Sequence, residues 1–184
     1  MTSSFEPPIH DEILQQTGAL RSEWRWVADR SRIGKDKQSV LAALDAAAAE
    51  RGYYIKGDVR PSALTHYLPK ICLFDPIYDV AAEPPVDGMI RLMGTWVERF
   101  YGRRTGRKFS EAVLKAVGQR QLASIQTSWQ GRRPGRSLAW GHSYQGIGLV
   151  VDAMYVPLMD ADGGNVAQFL VHVDVVPETQ FEDN

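Results

Sequence analysis

Residues 148–159 read GLVVDAMYVPLM, residues 160–164 DADGG and residues 165–176 NVAQFLVHVDVV. Two runs rich in β-branched and aromatic residues, joined by Asp and Gly in a reverse-turn pattern, predict a pair of antiparallel strands. A third strand candidate, Ser137 to Ser143, precedes them. Strands joined by short antiparallel turns cannot form the parallel sheet of an α/β enzyme, in which neighbours are linked by crossovers. An α+β fold follows.

Upstream of these strands, Phe109 to Trp129 predict a long helix, with Phe109, Val113, Leu114, Val117, Leu122 and Ile125 as its apolar positions and Ser110 as a cap. Trp96 to Tyr101 predict a short helix. Lys70 to Phe74 and Met89 to Gly94 read as two strands of a hairpin, joined by a connection that carries Pro84-Pro85 and Asp87-Gly88. A short helix from Pro61 to Tyr67 leads in, with Pro61 suited to a first helical position. Two strands, a helical middle and three closing strands give a five-stranded antiparallel sheet with helices on one face and a small cavity between the layers.

The N-terminal third reads differently. Residues 1–10 are a loose polar tail with Pro7-Pro8. Asp11 caps an expected helix in which Ile13, Leu14, Leu20, Trp24 and Val27 recur at roughly helical spacing. A second helix runs from Asp36 or Ser39 to Glu50, with Val40, Leu41, Leu44 and Ala48 as its stripe and Gly52 as its stop. After Gly57 the pattern changes to short apolar runs broken by Gly, Pro and Asp. The expected division is a tail and helical extension over 1–57, a core over 58–176 and a C-terminal tail over 177–184.

Composition bounds the function. At 184 residues, 44% hydrophobic and 23% charged, the chain is an ordinary globular sequence long enough for one substantial core. A net charge of −1 gives no global attraction to phosphates or anionic lipid, so nucleic acid is not an expected partner. No run approaches the roughly 18 apolar residues that a membrane span needs, and Met1 to Pro8 lack the pattern of a signal peptide. The cytoplasm is the expected compartment. Cys72, the only cysteine, sits in Ile71-Cys72-Leu73-Phe74 and reads as core packing.

Arg60-Pro61-Ser62-Ala63-Leu64, then Leu68 to Asp75, then Arg91-Leu92-Met93-Gly94-Thr95, Tyr101-Gly102-Arg103 and Thr105-Gly106-Arg107 together resemble a bacterial family of small, often stand-alone PAS proteins. The resemblance covers roughly residues 58–176 and rests most on the Arg-Leu-x-Gly-Thr block followed by Gly-Arg and Thr-Gly-Arg. Arg104 stands where the family tends to carry an acidic residue. What the resemblance implies is a non-enzymatic sensory or docking module that binds a small ligand or a protein partner.

The chemistry-bearing residues are consistent with that expectation. No Gly-x-Ser-x-Gly, phosphate loop, His-Glu-x-x-His or paired-cysteine motif is present. His66 and His142 fall in elements that could border a cavity and would be the axial ligand of a haem, but no Cys-x-x-Cys-His attaches one. A flavin-adduct photosensor places its cysteine on a helix, whereas Cys72 is on a strand. No tightly bound cofactor is therefore expected. Arg91 alternates with Met89 and Met93, so it is either an edge residue paired to a carboxylate or a fork for an anionic ligand. Arg91, Thr95, Tyr101 and His142 are the candidate ligand-binding residues. Arg99, Arg103, Arg104, Arg107 and Lys108 form one basic cluster, and Arg132, Arg133 and Arg136 another in a Gly- and Pro-broken loop; both read as solvated rims, with phosphate binding as the sharper reading.

Leu20, Trp24 and Val27 make an apolar face that needs a partner. A signalling partner in trans is expected to supply the output, because the sequence carries no kinase, cyclase or DNA-binding machinery, and a homodimer is the other occupant of that face. The rivals are a small-ligand enzyme on a similar scaffold and an adaptor without ligand.

Overall fold

The computed structural model describes residues 22–80, 83–112, 115–142 and 147–181. Seven strands build one sheet: β1 Ser22–Trp26, β2 Tyr54–Ile55, β3 Ile71–Ile77, β4 Asp87–Met93, β5 Gly135–His142, β6 Gly148–Met159 and β7 Val166–Pro177. Three α-helices accompany them: α1 Lys35–Ala48, α2 Thr95–Tyr101 and α3 Lys115–Gly131. The strand order is β4-β3-β7-β6-β5-β1, antiparallel throughout, with the two-residue β2 added parallel to the end of β6. The fold is α+β and PAS-like: two strands, a helical middle and three closing strands, with the last strand at the centre.

The β6–β7 turn forms as its residues dictate. The Asp160 carboxylate accepts the Gly164 and Asn165 amides at 2.8 and 3.1 Å, and Gly163 takes the left-handed φ of +70°. Both strands are buried on both faces, which is why their sequences run apolar with little alternation. On one face Cys72, Phe74, Ala153, Tyr155, Val171 and Val173 pack under α2, α3 and Phe109. On the other, Ile71, Met154, Val156, Leu158 and Leu170 pack under Val40, Leu41 and Leu44 of α1 and under Leu64. The middle helices therefore cover one face as expected, and α1 closes the other.

Helix α1 follows its stripe: Lys37, Val40, Leu41, Leu44 and Ala48 are its buried residues, and Asp36 in the first turn complements the helix dipole. The Thr105-Gly106-Arg107 block also acquires a physical role. The Gly106 amide donates to Ile90 O at 2.7 Å and the Ile90 amide to Arg107 O at 2.9 Å, so this loop covers the free edge of β4. The 109–129 helix is shorter than expected: Phe109–Glu111 form a separate 3-10 turn, and Ser110 donates its hydroxyl to Asp87 at 2.5 Å.

The helix expected to include Trp24 and Val27 is corrected. Ser22–Trp26 is an edge strand paired to β5, with Trp24 opposite Ser137. Glu23 and Arg25 alternate with the two tryptophans, a period-two pattern that suits a half-buried strand, and the open edge of β5 settles the choice. Leu20 and the rest of that expected helix lie outside the described residues. The Trp24 ring lies 5.9 Å from Tyr155 and covers Gly135, where an added Cβ would come within 2.0 Å of it. Trp24→Ala is expected to lower stability by about 2 kcal/mol with no change in molecular mass, since the ring's partner is its own chain. Thermal melting beside analytical ultracentrifugation checks this, and a loss of dimer with an unchanged melt would refute it. Among the described residues no helix is long and apolar enough to cross a membrane.

Candidate functional site

Between the sheet and helices α2 and α3 lies an enclosed site of about 20 Å³, room for a single water. Its floor is Cys72, Ala139, Ala153 and Val173 from four strands, and its walls include Met93, Tyr101 and Arg120. Arg120, half-buried on α3, stands beside the Tyr101 side chain, and Ser124, one turn further along, stands beside Tyr155. Polar groups from α2, α3 and β6 thus converge in an otherwise apolar interior. Burial pushes both tyrosines above their ordinary pKa, against the opposing pull of the Arg120 guanidinium, so each remains a neutral phenol. Burial also pushes the Cys72 thiol up to about 12, which leaves it protonated and a poor nucleophile. A flavin or porphyrin occupies several hundred Å³ and does not fit this interior as it stands.

The candidate residues read from the sequence are dispersed. Tyr101 is 8% exposed and faces the cavity. Arg91 is exposed at the β3–β4 bulge and bonds Asp75 through Nε at 2.5 Å, on the paired-carboxylate side of the two readings given for it. Thr95 is exposed at the start of α2, and His142 is the last residue of β5, opposite Gly148. His66 is exposed in the turn before β3. Arg120 and Ser124 were not anticipated; both lie on α3 between the buried Val117 and Ile125.

A second polar cluster lies on the opposite face, under α1. Lys37 is fully buried, and its ammonium contacts Asp174 at 2.6 Å and Asp152 at 3.0 Å. Arg136 holds Asp152 as a fork, through Nε at 2.8 Å and the terminal nitrogen at 3.1 Å. Lys70 bridges Asp174 at 2.7 Å and Asp36 at 3.1 Å. Burial alone would push the Asp174 carboxyl up, but Lys37, His172 and the bonds from both lysines outweigh it and hold it below the usual carboxylate range. His172, wholly buried with neither ring nitrogen hydrogen-bonded, is pushed down to about 4 by burial and then by Lys37. Asp36, His172 and Asp174 bring potential cation ligands within 4.8 Å of one another, but the two lysines already occupy the carboxylates, so the cluster is an internal ion-pair network.

No protein-family profile matches the chain, and no curated protein matches it. Among solved structures the chain is similar to an RNA-binding light-oxygen-voltage receptor, at 13% identity and a TM-score of 0.49, over 88% of this chain and 40% of that one. A light-oxygen-voltage domain studied with a flavin analogue is similar at 17% identity and a TM-score of 0.44, over 64% of this chain and 84% of that one. A sensory box histidine kinase/response regulator from Burkholderia thailandensis E264 is similar at 11% identity and a TM-score of 0.36, over 65% of this chain and 85% of that one. The chain therefore spans less than half of the first of these proteins.

Proposed function

We propose that this chain is a non-enzymatic PAS-type sensory and docking module that passes the state of a small ligand or protein partner onward by protein contact. The observation that carries the reading is the Arg120, Tyr101, Tyr155 and Ser124 cluster buried between sheet and helices around about 20 Å³ of free space. With so little room, any ligand larger than a few atoms must displace Arg120 or lift α3 from the sheet, so occupancy and shape are linked. The same strands carry Asp152 and Asp174 on their other face, where Lys37 ties α1 to the sheet. A shift in β6 or β7 is then felt at α1 and at β1, the surfaces available to a partner. The buried protonated Cys72 and the sealed His172 offer no accessible nucleophile or base for an enzymatic alternative. The small cavity favours one rival, an adaptor with no ligand.

Two measurements test this. The purified protein is expected to be colourless, and native mass spectrometry is expected to give the chain mass alone or with a small ligand; a flavin or Soret spectrum that survives gel filtration would overturn the site as described. Hydrogen exchange of Arg120→Met is expected to lose protection in residues 22–27 and 35–48 as well as in α3. Changes confined to α3 would mean that the interior is not coupled to the opposite face, and the transmitting role would fail.

A further inference from the structure

Along β6, pairing with β5 ends at Tyr155 opposite Gly135, and β2 takes over only at Leu158 opposite Tyr54. Val156 and Pro157 lie in the gap, and beside it opens a cleft of about 350 Å³, the size of a small-molecule site and far larger than the interior cavity. Its walls come from the C-terminal end of α1, the segment leading into β2 and the α3–β5 loop. That loop is the Gly131-Arg132-Arg133-Pro134-Gly135 stretch.

Three features set this cleft apart from an ordinary surface groove. The first is charge. Arg30 and Tyr54 both bond Asp45, so the carboxylate at the cleft is already engaged. Arg132 and Arg133 are exposed, and neither has a carboxylate partner among the described residues. Arg132 donates to the Gly164 carbonyl at 2.7 Å, and Arg133 lies 4.5 Å over the Trp26 ring, so both guanidiniums are positioned by neutral groups with donors to spare. The second is an aromatic wall: Tyr53 lines the cleft and rests against Gly163, where an added Cβ would come within 2.8 Å of the ring. The third is backbone strain. Ala49 at φ +52° and Arg132 at φ +49° are the two non-glycine residues with positive φ among the described residues, and both line this cleft. Such strain collects where a surface is shaped for a ligand.

We propose that the cleft is a binding site for a nucleoside monophosphate, with the phosphate on Arg132 and Arg133 and the base against Tyr53. Two uncompensated guanidiniums suit the dianionic phosphate, an aromatic wall suits a planar base, and the volume suits a mononucleotide better than a chain of nucleotides. This site is separate from the interior cavity, and its test is independent of the signalling role.

The test is titration of the full chain with AMP, adenosine and inorganic phosphate by calorimetry, with Trp26 fluorescence as a local reporter of Arg133. AMP is expected to bind saturably, at least tenfold more tightly than adenosine or phosphate, and to weaken as salt rises. Arg132→Ser with Arg133→Ser is expected to cost at least tenfold in AMP affinity at an unchanged melting temperature, and Tyr53→Ser to bring AMP close to phosphate. Unaltered AMP binding by the double arginine variant would overturn the site. Phosphate binding as tightly as AMP would overturn the nucleotide assignment, as would absence of AMP binding at millimolar concentration or binding of an RNA oligonucleotide alone.

Discussion

Lys37→Met is expected to destabilise the fold by about 3–5 kcal/mol, the cost of leaving buried charge without its counter-ion. Met matches the length and apolar stem of Lys37 and removes only the ammonium, which is wholly buried and lies between Asp174 at 2.6 Å and Asp152 at 3.0 Å. Asp152 keeps the Arg136 fork and Asp174 keeps Lys70. Two carboxylates then share the remaining cations, and the half-exposed Lys70 must serve both Asp174 and Asp36. Urea unfolding measures the loss. Asp174→Asn in the Lys37→Met background is expected to recover a large part of it, because the excess charge goes with the carboxylate. A single-variant loss under about 1 kcal/mol, in the range of an exposed pair, would show that the network does not fasten α1 to the sheet.

What the sequence made legible follows from how local each cause is. Strand β6 starts and stops at Gly148 and Met159, as read, because a Gly precedes its apolar run and an Asp-Gly turn ends it. The stripe of Val40, Leu41, Leu44 and Ala48 likewise located α1. Strand β1 was not legible: Trp24 fits a helical spacing with Leu20 and Val27 and also alternates with Glu23 and Arg25, and the deciding partner, β5, lies more than a hundred residues away. The same distance hides the polar clusters. Lys37 sits on the apolar stripe of α1, where a lysine normally signals a rim, and Asp152 and Asp174, both more than a hundred positions on, make burial tolerable. Tyr101 closes the short helix read at 96–101, and the structure sets it at the interior cavity; Arg120, only partly buried on α3, carries no local sign of which end is wet.

His172→Leu is expected to remove most of the pH dependence of stability between about 6.5 and 4. The imidazole is flanked in the ladder by Ile71 and Met154 and faces four charged groups, with Lys37 and Lys70 disfavouring protonation and Asp174 and Asp36 favouring it. Burial and Lys37 prevail, and its pKa falls from 6.5 to about 4. In that window the unfolded chain binds a proton that the folded chain refuses, so the contribution of His172 is fully present above about 6.5 and fades as pH falls through 4. The shift corresponds to about 3 kcal/mol across the window and about 2 kcal/mol at pH 5. Neither ring nitrogen has a hydrogen-bond partner, so Leu sacrifices nothing polar, and stability at pH 7.5 is expected to stay within about 1 kcal/mol of the parent. At pH 5 the variant is expected to be the more stable protein. Asp174 does not blur the comparison, because its carboxyl is held below the usual range and releases its contribution at lower pH. Urea midpoints taken from pH 7.5 to 4.5 decide the matter: parallel profiles for parent and variant would mean that His172 protonates in the folded state, and the sealed face under α1 would have to be open to water.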